Sequence, residues 1–303
     1  MTQRRFDNRV AVITGAGRGL GREYARLLAA GGASVVVNDP GGDIAGEGHD
    51  AGPAQRVVDE IRAAGGEAVA SADSVATREG GQAIVDAALD RYGRIDVLIH
   101  NAGNVRYGAL DAISYDDFKA VVDVHLIGAF HVVRAAFAPM RRAGYGRVVL
   151  TSSIGGLYSI ANGVPYAVAK SGVIGLNNVV ALEGAEHGIR SNIILPGAVT
   201  RMAEGLDVSQ YPPMGPELVA PLVGWLAHES CSVSGEMYVS MAGRIARAFI
   251  AESEGVYRPS WTIDDVAQQI DAIRDPARQW VLPVLPSGFG EHLQRSFEMA
   301  RRG

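Results

Sequence analysis

The chain has 303 residues, of which 48 % are hydrophobic and 20 % charged, as is usual for a globular protein with a sizeable core. Its net charge of −5 argues against a nucleic-acid partner, because phosphate binding requires a clustered basic surface. The single cysteine, Cys231, excludes an intrachain disulfide and a cysteine-built metal site, so we expect no metal. The N-terminal apolar run is too short for a signal peptide, and no stretch approaches roughly 18 uninterrupted apolar residues. We therefore expect a cytoplasmic protein with no membrane partner.

Seven apolar, β-branched segments predict buried strands, because most are continuous rather than alternating. They are Arg9–Thr14, Ser34–Asn38, Glu67–Ala72, Ile95–His100, Arg147–Thr151, Ile189–Leu195 and Met237–Ser240. Helix-period segments separate them, including a long one from Tyr115 to Ala143 that begins with a capping-box pattern at Ser114 and Asp117. The alternation predicts an α/β, Rossmann-type, doubly wound parallel sheet of seven strands with helices on both faces. We place this domain at residues 1–249 and a C-terminal helical extension at 250–303.

The segment TGAGRGLG, Thr14 to Gly21, follows the first predicted strand and precedes a helix pattern. This order places backbone N–H groups and a helix N-terminus against a pyrophosphate, and glycines allow the backbone to approach it closely. The sequence therefore predicts that this loop binds a dinucleotide.

Asp39 ends the second predicted strand, 18 residues after Gly21, where an acidic residue meets the adenosine ribose hydroxyls of a dinucleotide. A turn aspartate before Pro40 is the alternative. A carboxylate at the ribose would repel the 2′-phosphate of NADP, which favours NAD over NADP. Arg18 argues in the opposite direction, for NADP, because its guanidinium could bind the 2′-phosphate. It could also cover the diphosphate or face solvent.

Tyr166 and Lys170 lie four residues apart at the start of a predicted helix. This spacing puts the phenol and the ammonium on one helix face, where both can serve one ligand. Such pairs also arise by chance, so the spacing permits a catalytic role without establishing one.

The order of these motifs resembles the short-chain dehydrogenase/reductase family over roughly residues 8–245. After the glycine loop come Asp73, the triplet Asn101-Ala102-Gly103, then Ser153, Tyr166 and Lys170, and finally Pro196-Gly197. Ser153 stands 13 residues before Tyr166, which is the usual interval in the family. The resemblance implies an NAD(P)-dependent enzyme that acts on CH–OH groups.

In this family the residues matching Ser153, Tyr166 and Lys170 are catalytic. The resemblance implies that Tyr166 exchanges the alcohol proton, that Lys170 favours its phenolate and holds the nicotinamide ribose, and that Ser153 positions the reacting oxygen. The cofactor contacts that it implies are Gly15, Arg18, Gly19, Leu20, Gly21, Asp39, Asp73, Ser74, Asn101, Ala102, Gly103, Tyr166, Lys170, Pro196, Gly197, Val199 and Thr200.

The chain departs from the family at His125, where asparagine most often completes a catalytic tetrad. Either the imidazole takes part in catalysis, or only the backbone carbonyl acts, or the residue is a packed helical histidine. The sequence leaves these three open.

Several segments, among them Val35–Asp43, Val124–Phe130 and Val219–Cys231, resemble the dehydrogenase domains of type-2 peroxisomal multifunctional enzymes. Those domains oxidise (3R)-hydroxyacyl-CoA to 3-ketoacyl-CoA with NAD, which implies an acyl-CoA substrate here. Because members of the family form dimers and tetramers, the resemblance also implies a homodimer or homotetramer. Two alternatives remain: a dehydrogenase of a steroid or other free secondary alcohol, and a non-catalytic dinucleotide-binding regulator.

Two basic residues and one loop are further candidates for substrate contacts. Arg106 and Arg201 could meet the phosphates of CoA, although solvent exposure explains them equally well. The segment from Arg201 to Gly215 has the composition of a lid or of a plain surface connector. In the extension, Ile263, Val266 and Ile270 share one helix face, which must pack on the domain or on a partner subunit.

Overall fold

Seven parallel strands form the central sheet of the fold. The structure is a computed structural model that describes residues 5–200, 207 and 209–302. The Val- and Ile-rich runs of the five central strands are almost entirely buried, as expected for strands covered on both faces, whereas the first and last strands of the seven in sheet order are partly exposed. The strands are β1 (Val10–Thr14), β2 (Ser34–Asn38), β3 (Glu67–Ser71), β4 (Val97–His100), β5 (Gly146–Thr151), β6 (Ile189–Gly197) and β7 (Met237–Met241). Their order in the sheet is β3-β2-β1-β4-β5-β6-β7, which confirms the predicted doubly wound α/β fold.

An eighth strand, β8 (Arg244–Ala248), extends the sheet beyond β7, so the expected number of seven strands is corrected to eight. It follows a two-residue turn in which Ala242 and Gly243 have φ angles of 48° and 79°. Turns of this kind join antiparallel neighbours. The sequence criterion missed β8 because its side chains are mostly exposed and include two arginines.

Helices cover both faces of the sheet. One layer contains α1 (Gly19–Ala30), α2 (Gly52–Ala63) and α8 (Ala220–Ala227), and their apolar faces join β1, β2 and β4 in a single buried cluster. The other layer contains α3 (Arg78–Tyr92), α4 (Tyr115–Val122), α5 (Gly128–Ala143) and α7 (Val164–Gly184), while the short α6 (Ile154–Tyr158) packs against α7.

The helix that begins at Tyr115 contains a π-helical turn, Asp123–Ile127, between α4 and α5. Its start is confirmed, because the Ser114 hydroxyl accepts a hydrogen bond from the Asp117 amide at 3.0 Å. By length and apolar composition alone, the 29 residues from Tyr115 to Ala143 could cross a membrane. Core helices of globular domains pass the same test, and this helix packs against α3 and α7.

The chain divides into two compact units, Met1–Arg247 and Ala248–Gly303. The smaller unit contains α9 (Ile263–Ile273), α10 (Gly288–Arg302) and a short antiparallel pair, β9 (Glu252–Ser253) with β10 (Gln279–Trp280). The capping box of Thr262 and Asp265 at the start of α9 is present as predicted. Ile263, Val266 and Ile270 on α9 are exposed, so their packing on a partner subunit stays a prediction.

Candidate active site

The site lies at the carboxyl ends of β1 and β4, the point where the strand order of the sheet reverses. The Thr14 hydroxyl at the end of β1 accepts hydrogen bonds from the Asn101 and Ala102 amides at 3.1 and 3.2 Å. It therefore donates its own proton to Nδ1 of His100, 3.0 Å away. These contacts fix the loop after β4 against the glycine loop after β1.

Three glycines of the glycine loop, Gly15, Gly17 and Gly21, have no room for a side chain. A Cβ atom on Gly15, whose φ is +62°, would lie 2.7 Å from the Cα atom of Ala102. A Cβ atom on Gly17 would lie 2.7 Å from the Asp39 carboxylate, and one on Gly21 only 2.3 Å from the Gly15 carbonyl oxygen. Helix α1 begins at Gly19, within this loop segment, and the side chain of its N-cap residue, Arg18, does not cap it. The first-turn N–H groups are thus available for an anion.

Asp39 is 9 % exposed and is held by two backbone amides. Its Oδ2 atom accepts a hydrogen bond from Gly17 at 2.9 Å, and its Oδ1 atom accepts one from Gly41 at 2.7 Å. Beside it, Arg18 donates from Nη1 to the Gly42 carbonyl at 3.3 Å. The carboxylate therefore has a fixed orientation against the glycine loop, and the neighbouring guanidinium rests on the loop after β2.

Asp39, Arg18 and Gly15 line one cleft of about 370 Å³ that is also lined by the catalytic candidates Tyr166 and Lys170. The predicted site residues that line it are Gly15, Arg18, Gly19, Leu20, Asp39, Ser74, Asn101, Ala102, Gly103, His125, Tyr166, Lys170, Pro196 and Thr200. The fold thus brings together residues that are up to 185 positions apart in the chain, from Gly15 to Thr200.

The catalytic candidates meet at the end of β5 and the start of α7. Ser153 caps α6 by accepting a hydrogen bond from the Gly155 amide at 3.0 Å, and its hydroxyl also interacts with the Tyr166 phenol. Nζ of Lys170 lies 5.7 Å from the Tyr166 ring centroid and donates to the Thr151 carbonyl at 2.6 Å. The neighbouring Ser152 hydroxyl points away from the reaction site, because it donates to the Lys170 carbonyl at 2.7 Å.

A family model described as short chain dehydrogenase matches residues 9–209, which is well over half of the chain. The chain belongs to the short-chain dehydrogenase family. Members of this family are oxidoreductases that bind NAD(P) and act on small molecules, so the cleft is the place where a cofactor and a substrate of this dehydrogenase would meet.

Individual relatives agree with this assignment. The chain is 46 % identical over 264 residues to peroxisomal multifunctional enzyme type 2 of Drosophila melanogaster, covering 86 % of this chain but 43 % of that protein. It is 42 % identical over 271 residues to the short-chain type dehydrogenase/reductase Rv0148 of Mycobacterium tuberculosis, covering 89 % and 95 % of the two chains. The structure of the full-length Drosophila enzyme superposes with a TM-score of 0.80 at 37 % identity, over 98 % of this chain and 50 % of that one. The chain thus spans half or less of the multifunctional relative.

Burial shifts the pKa values of Tyr166 and Lys170, the two predicted catalytic residues. It raises the pKa of the Tyr166 phenol, and the hydrogen bond with Ser153 only partly opposes that rise. Burial also lowers the pKa of Lys170 to about 7. The family resemblance implied that Lys170 favours the phenolate, and this role stays a prediction; in the structure its ammonium donates to the Thr151 carbonyl.

His125 lies in the π-helical turn and is fully buried beside Tyr166, with the two ring centroids 5.4 Å apart. Its Nε2 atom lies 2.7 Å from the carbonyl oxygen and 3.1 Å from the amide nitrogen of Asn104. Its Nδ1 atom has no hydrogen-bond partner among the described residues. Burial, reinforced by the Lys170 charge, holds the pKa of His125 well below its usual value, so the imidazole is neutral.

His100 lies at the end of β4, next to Asn101, and is a second buried imidazole. Burial and the Lys170 charge lower its pKa to about 3. Both imidazoles near Lys170 are therefore neutral at physiological pH, and neither one can serve as a proton donor in its charged form.

Five predicted site residues do not line the cleft: Gly21, Asp73, Ser153, Gly197 and Val199. Ser153 still interacts with Tyr166, and Gly21 packs closely against the Gly15 carbonyl oxygen within the glycine loop. The other three have different contacts. The Asp73 carboxylate accepts a hydrogen bond from the Ser71 hydroxyl at 3.0 Å. Gly197 faces the Met241 side chain, and the Val199 amide donates to the Met214 carbonyl at 2.7 Å.

Sequence reasoning missed part of the cleft wall. The additional lining residues are Pro40, Gly42, Asp43, Gly46, Val75, Asn104, Val124, Thr151, Ser152 and Ala198. Four of them belong to the segment 39–51, called here the β2–α2 loop. Its length and its glycines, which include Gly41, Gly46 and Gly48 at positive φ, are the signal that could have identified a folded loop rather than a plain turn.

The two candidates for CoA contacts, Arg106 and Arg201, stay predictions. The Arg106 guanidinium pairs with Asp117 at 2.7 Å and with Glu47 at 3.1 Å, so its charge is already matched within the protein. Arg201 and residues 202–206 and 208 of the expected lid lie outside the described residues. Within the described ranges, no group of three or more His, Cys, Asp or Glu side chains is arranged to hold a metal ion.

Proposed function

We propose that this dehydrogenase uses NAD to oxidise (3R)-3-hydroxyacyl-CoA to 3-ketoacyl-CoA. The observation that carries the proposal is the position of Tyr166, whose phenol interacts with Ser153 and lines the same cleft as the glycine loop and Asp39. A proton-transfer group and a dinucleotide cradle in one cleft are what an alcohol dehydrogenase requires.

The residues of the cleft fit a dinucleotide. Gly15 and Gly17 pack so closely that no Cβ atom fits, which leaves the loop backbone bare at these positions, and the amides at the start of α1 suit a pyrophosphate. Asp39 would hold the adenosine ribose and Lys170 the nicotinamide ribose. When bound, the nicotinamide supplies the acceptor for the hydride that leaves the alcohol carbon.

The side chains of this chain would handle the proton and the reacting oxygen. Tyr166 would take the alcohol proton on its phenol oxygen during oxidation and return it during reduction. The Ser153 hydroxyl would donate to the reacting oxygen and hold it beside Tyr166. Because burial raises the pKa of Tyr166, the phenol is protonated at neutral pH, which favours the reductive direction at low pH and oxidation at high pH.

The preference for NAD rests on Asp39. Two amides fix its carboxylate against the glycine loop, so it cannot swing away from a 2′-phosphate without losing both hydrogen bonds. Arg18 rests on the Gly42 carbonyl rather than lying free beside that position. The balance of charge therefore favours free ribose hydroxyls over a phosphate.

The acyl-CoA substrate rests on the resemblance to the dehydrogenase domains of the multifunctional enzymes. The match to the Drosophila enzyme covers 86 % of this chain. A homodimer or homotetramer is part of the same proposal. Phe130 on α5 and Val179 and Leu182 on α7 are 43–49 % exposed and offer apolar surface for self-association.

The test is an absorbance assay of NADH or NADPH formation with a panel of substrates and both cofactors. The panel contains (3R)- and (3S)-3-hydroxyacyl-CoAs of several chain lengths, a hydroxysteroid and simple secondary alcohols. We expect NAD and a (3R)-acyl-CoA to give the highest kcat/KM. Turnover of free alcohols alone would contradict the acyl-CoA assignment, and cofactor binding without any turnover would indicate a regulator.

A further inference from the structure

The β2–α2 loop is closed on itself at its base. The Asp50 amide donates to the Pro40 carbonyl at 2.8 Å, so the two ends of the loop meet. Gly41 has a φ of +78°, and a Cβ atom on it would lie 1.8 Å from the Asp50 carbonyl oxygen. Only glycine fits at this base, which indicates a defined loop conformation.

The tip of the loop is attached to the segment that follows Asn101-Ala102-Gly103. The Val105 amide donates to the Ile44 carbonyl at 3.1 Å, and Nδ2 of Asn104 donates to the Ala45 carbonyl at 3.2 Å. Gly46 lies directly against Asn104, since a Cβ atom on Gly46 would be 2.7 Å from Nδ2. The loop tip is thus packed on Asn104 without an intervening side chain.

Arg106 makes three contacts that hold this arrangement together. Its Nη2 atom pairs with Glu47 at 3.1 Å and its Nε atom donates to the Ala45 carbonyl at 3.3 Å, both in the loop. Its Nη1 atom donates to Asp117 at 2.7 Å, in the first turn of α4. One rigid guanidinium therefore ties the loop to the helix that carries His125.

The attached loop forms a wall of the cofactor cleft. Pro40, Gly42, Asp43 and Gly46 line the cleft next to Asp39. On the opposite side, Arg18 of the glycine loop donates to the Gly42 carbonyl. The wall is thus supported from the glycine loop at one end and from Asn104 and Arg106 at the other.

We propose that Arg106 is a positioning residue for the cofactor, which keeps the β2–α2 loop in place as a preformed wall at the adenosine end of the cleft. The inference rests on the proposed function in that it assumes NAD as the ligand. Arg106 does not line the cleft itself, so it acts through the loop and not by contact.

The energetic reason is preorganisation. A loop that is already ordered loses little conformational entropy when a ligand binds, whereas a detached loop must be ordered at that moment. Loss of the Arg106 contacts should therefore weaken NAD binding. Turnover at saturating NAD should not change, because Tyr166, Ser153 and Lys170 keep all their contacts.

The test compares Arg106→Gln with the wild type and with Arg91→Gln. Arg91 pairs with Glu67 at 3.1 Å across two elements outside the cleft, so it is a matched control for loss of one surface arginine. The Kd for NAD is measured by calorimetric titration, and kcat and KM are measured with the substrate that the panel identifies. We expect Arg106→Gln to raise Kd and KM for NAD about tenfold with kcat within about twofold, and Arg91→Gln to change neither.

Two further variants keep the test decisive if Arg106→Gln folds poorly. Glu47→Gln removes the charge of one exposed partner of Arg106 and should raise the Kd for NAD about threefold. Arg106→Lys keeps the positive charge but not the geometry of three contacts, so its Kd for NAD should lie between those of the wild type and Arg106→Gln. Amide hydrogen exchange gives an independent readout. Exchange at Val105 should become faster in Arg106→Gln, while exchange at Asp50 at the loop base should not change.

The outcomes separate this inference from the proposed function. A wild type that binds NAD no more tightly than Arg106→Gln would overturn the role of Arg106 and leave the proposed function intact. A fall in kcat at unchanged KM would also overturn it. A wild type that binds no NAD would overturn both.

Discussion

Around Asp39 the atoms of the cleft are fixed by backbone hydrogen bonds and close glycine contacts, whereas around Tyr166 the functional groups are governed by burial. Asp39 accepts two amide hydrogen bonds, and Gly15 and Gly17 leave no space for a Cβ atom. Tyr166 and Lys170 instead have pKa values shifted by burial, and His125 keeps an unpartnered Nδ1 atom among the described residues.

This difference indicates a division of labour within one cleft. We propose that the half around Asp39 selects and holds a ligand through shape and fixed charge, so changes there should alter affinity and cofactor choice. The half around Tyr166 sets proton affinities, so changes there should alter turnover and its pH dependence.

The largest expected effect is that of Tyr166→Phe on turnover. Phenylalanine keeps the ring against His125 and removes only the proton-transfer group. We expect kcat to fall by about 10²–10⁴-fold, the usual effect of losing a general acid–base group, with an unchanged unfolding temperature. Steady-state kinetics and a thermal melt check this, and turnover near that of the wild type would contradict the role of Tyr166.

The next effect concerns cofactor choice. We expect the wild type to prefer NAD over NADP by at least about 100-fold in kcat/KM, about 2.7 kcal/mol, and Asp39→Ala to narrow that gap. Asp39→Asn is the matched variant, because its amide oxygen can still accept a backbone hydrogen bond while the charge is lost. Kinetics with both cofactors decides it: an unchanged preference in both variants would mean that another group faces the ribose.

The pH dependence tests the electrostatics of the catalytic half. Burial raises the pKa of Tyr166, so over the neutral range the fraction of phenolate increases with pH. We expect kcat/KM for oxidation to rise by up to about tenfold per pH unit below that pKa, and the rate of ketone reduction not to rise with it. A flat profile for oxidation between about pH 6 and about pH 9 would show that proton transfer from the alcohol does not limit the reaction.

The smallest effect is expected for His125→Asn. Asparagine keeps the backbone carbonyl of the π-helical turn, and the buried imidazole is neutral and so supplies no charge. We expect activity within about tenfold of the wild type, less than about 1.4 kcal/mol. A loss of more than about a hundredfold in kcat would show instead that the imidazole takes part in the reaction.

Sequence patterns predicted the parts of this molecule that depend on local order. Continuous β-branched runs predicted the buried strands, and the position of the glycine loop between β1 and α1 predicted its role. The edge strand β8 was missed because an exposed strand with two arginines lacks that signal. The wall formed by the β2–α2 loop was missed because it depends on contacts with Asn104 and Arg106, about 60 residues further along the chain.

Charge and protonation were the least predictable features. The sequence offered a CoA contact or solvent exposure for Arg106, yet Glu47 and Asp117 match its charge once the chain is folded. Burial is the largest influence on the pKa of Tyr166 and raises it, while the effect of Lys170 on the phenol stays a prediction. Burial arises from the whole fold and cannot be read from the spacing of two residues.

The most direct test of the division of labour is the Kd of Tyr166→Phe for NAD, measured by calorimetric titration beside that of the wild type. If the half around Asp39 holds the cofactor, Kd should stay within about fivefold of the wild-type value, about 1 kcal/mol for one lost hydrogen bond, although turnover is almost abolished. A Kd raised by about a hundredfold or more would contradict the account, because the catalytic half would then carry the binding as well.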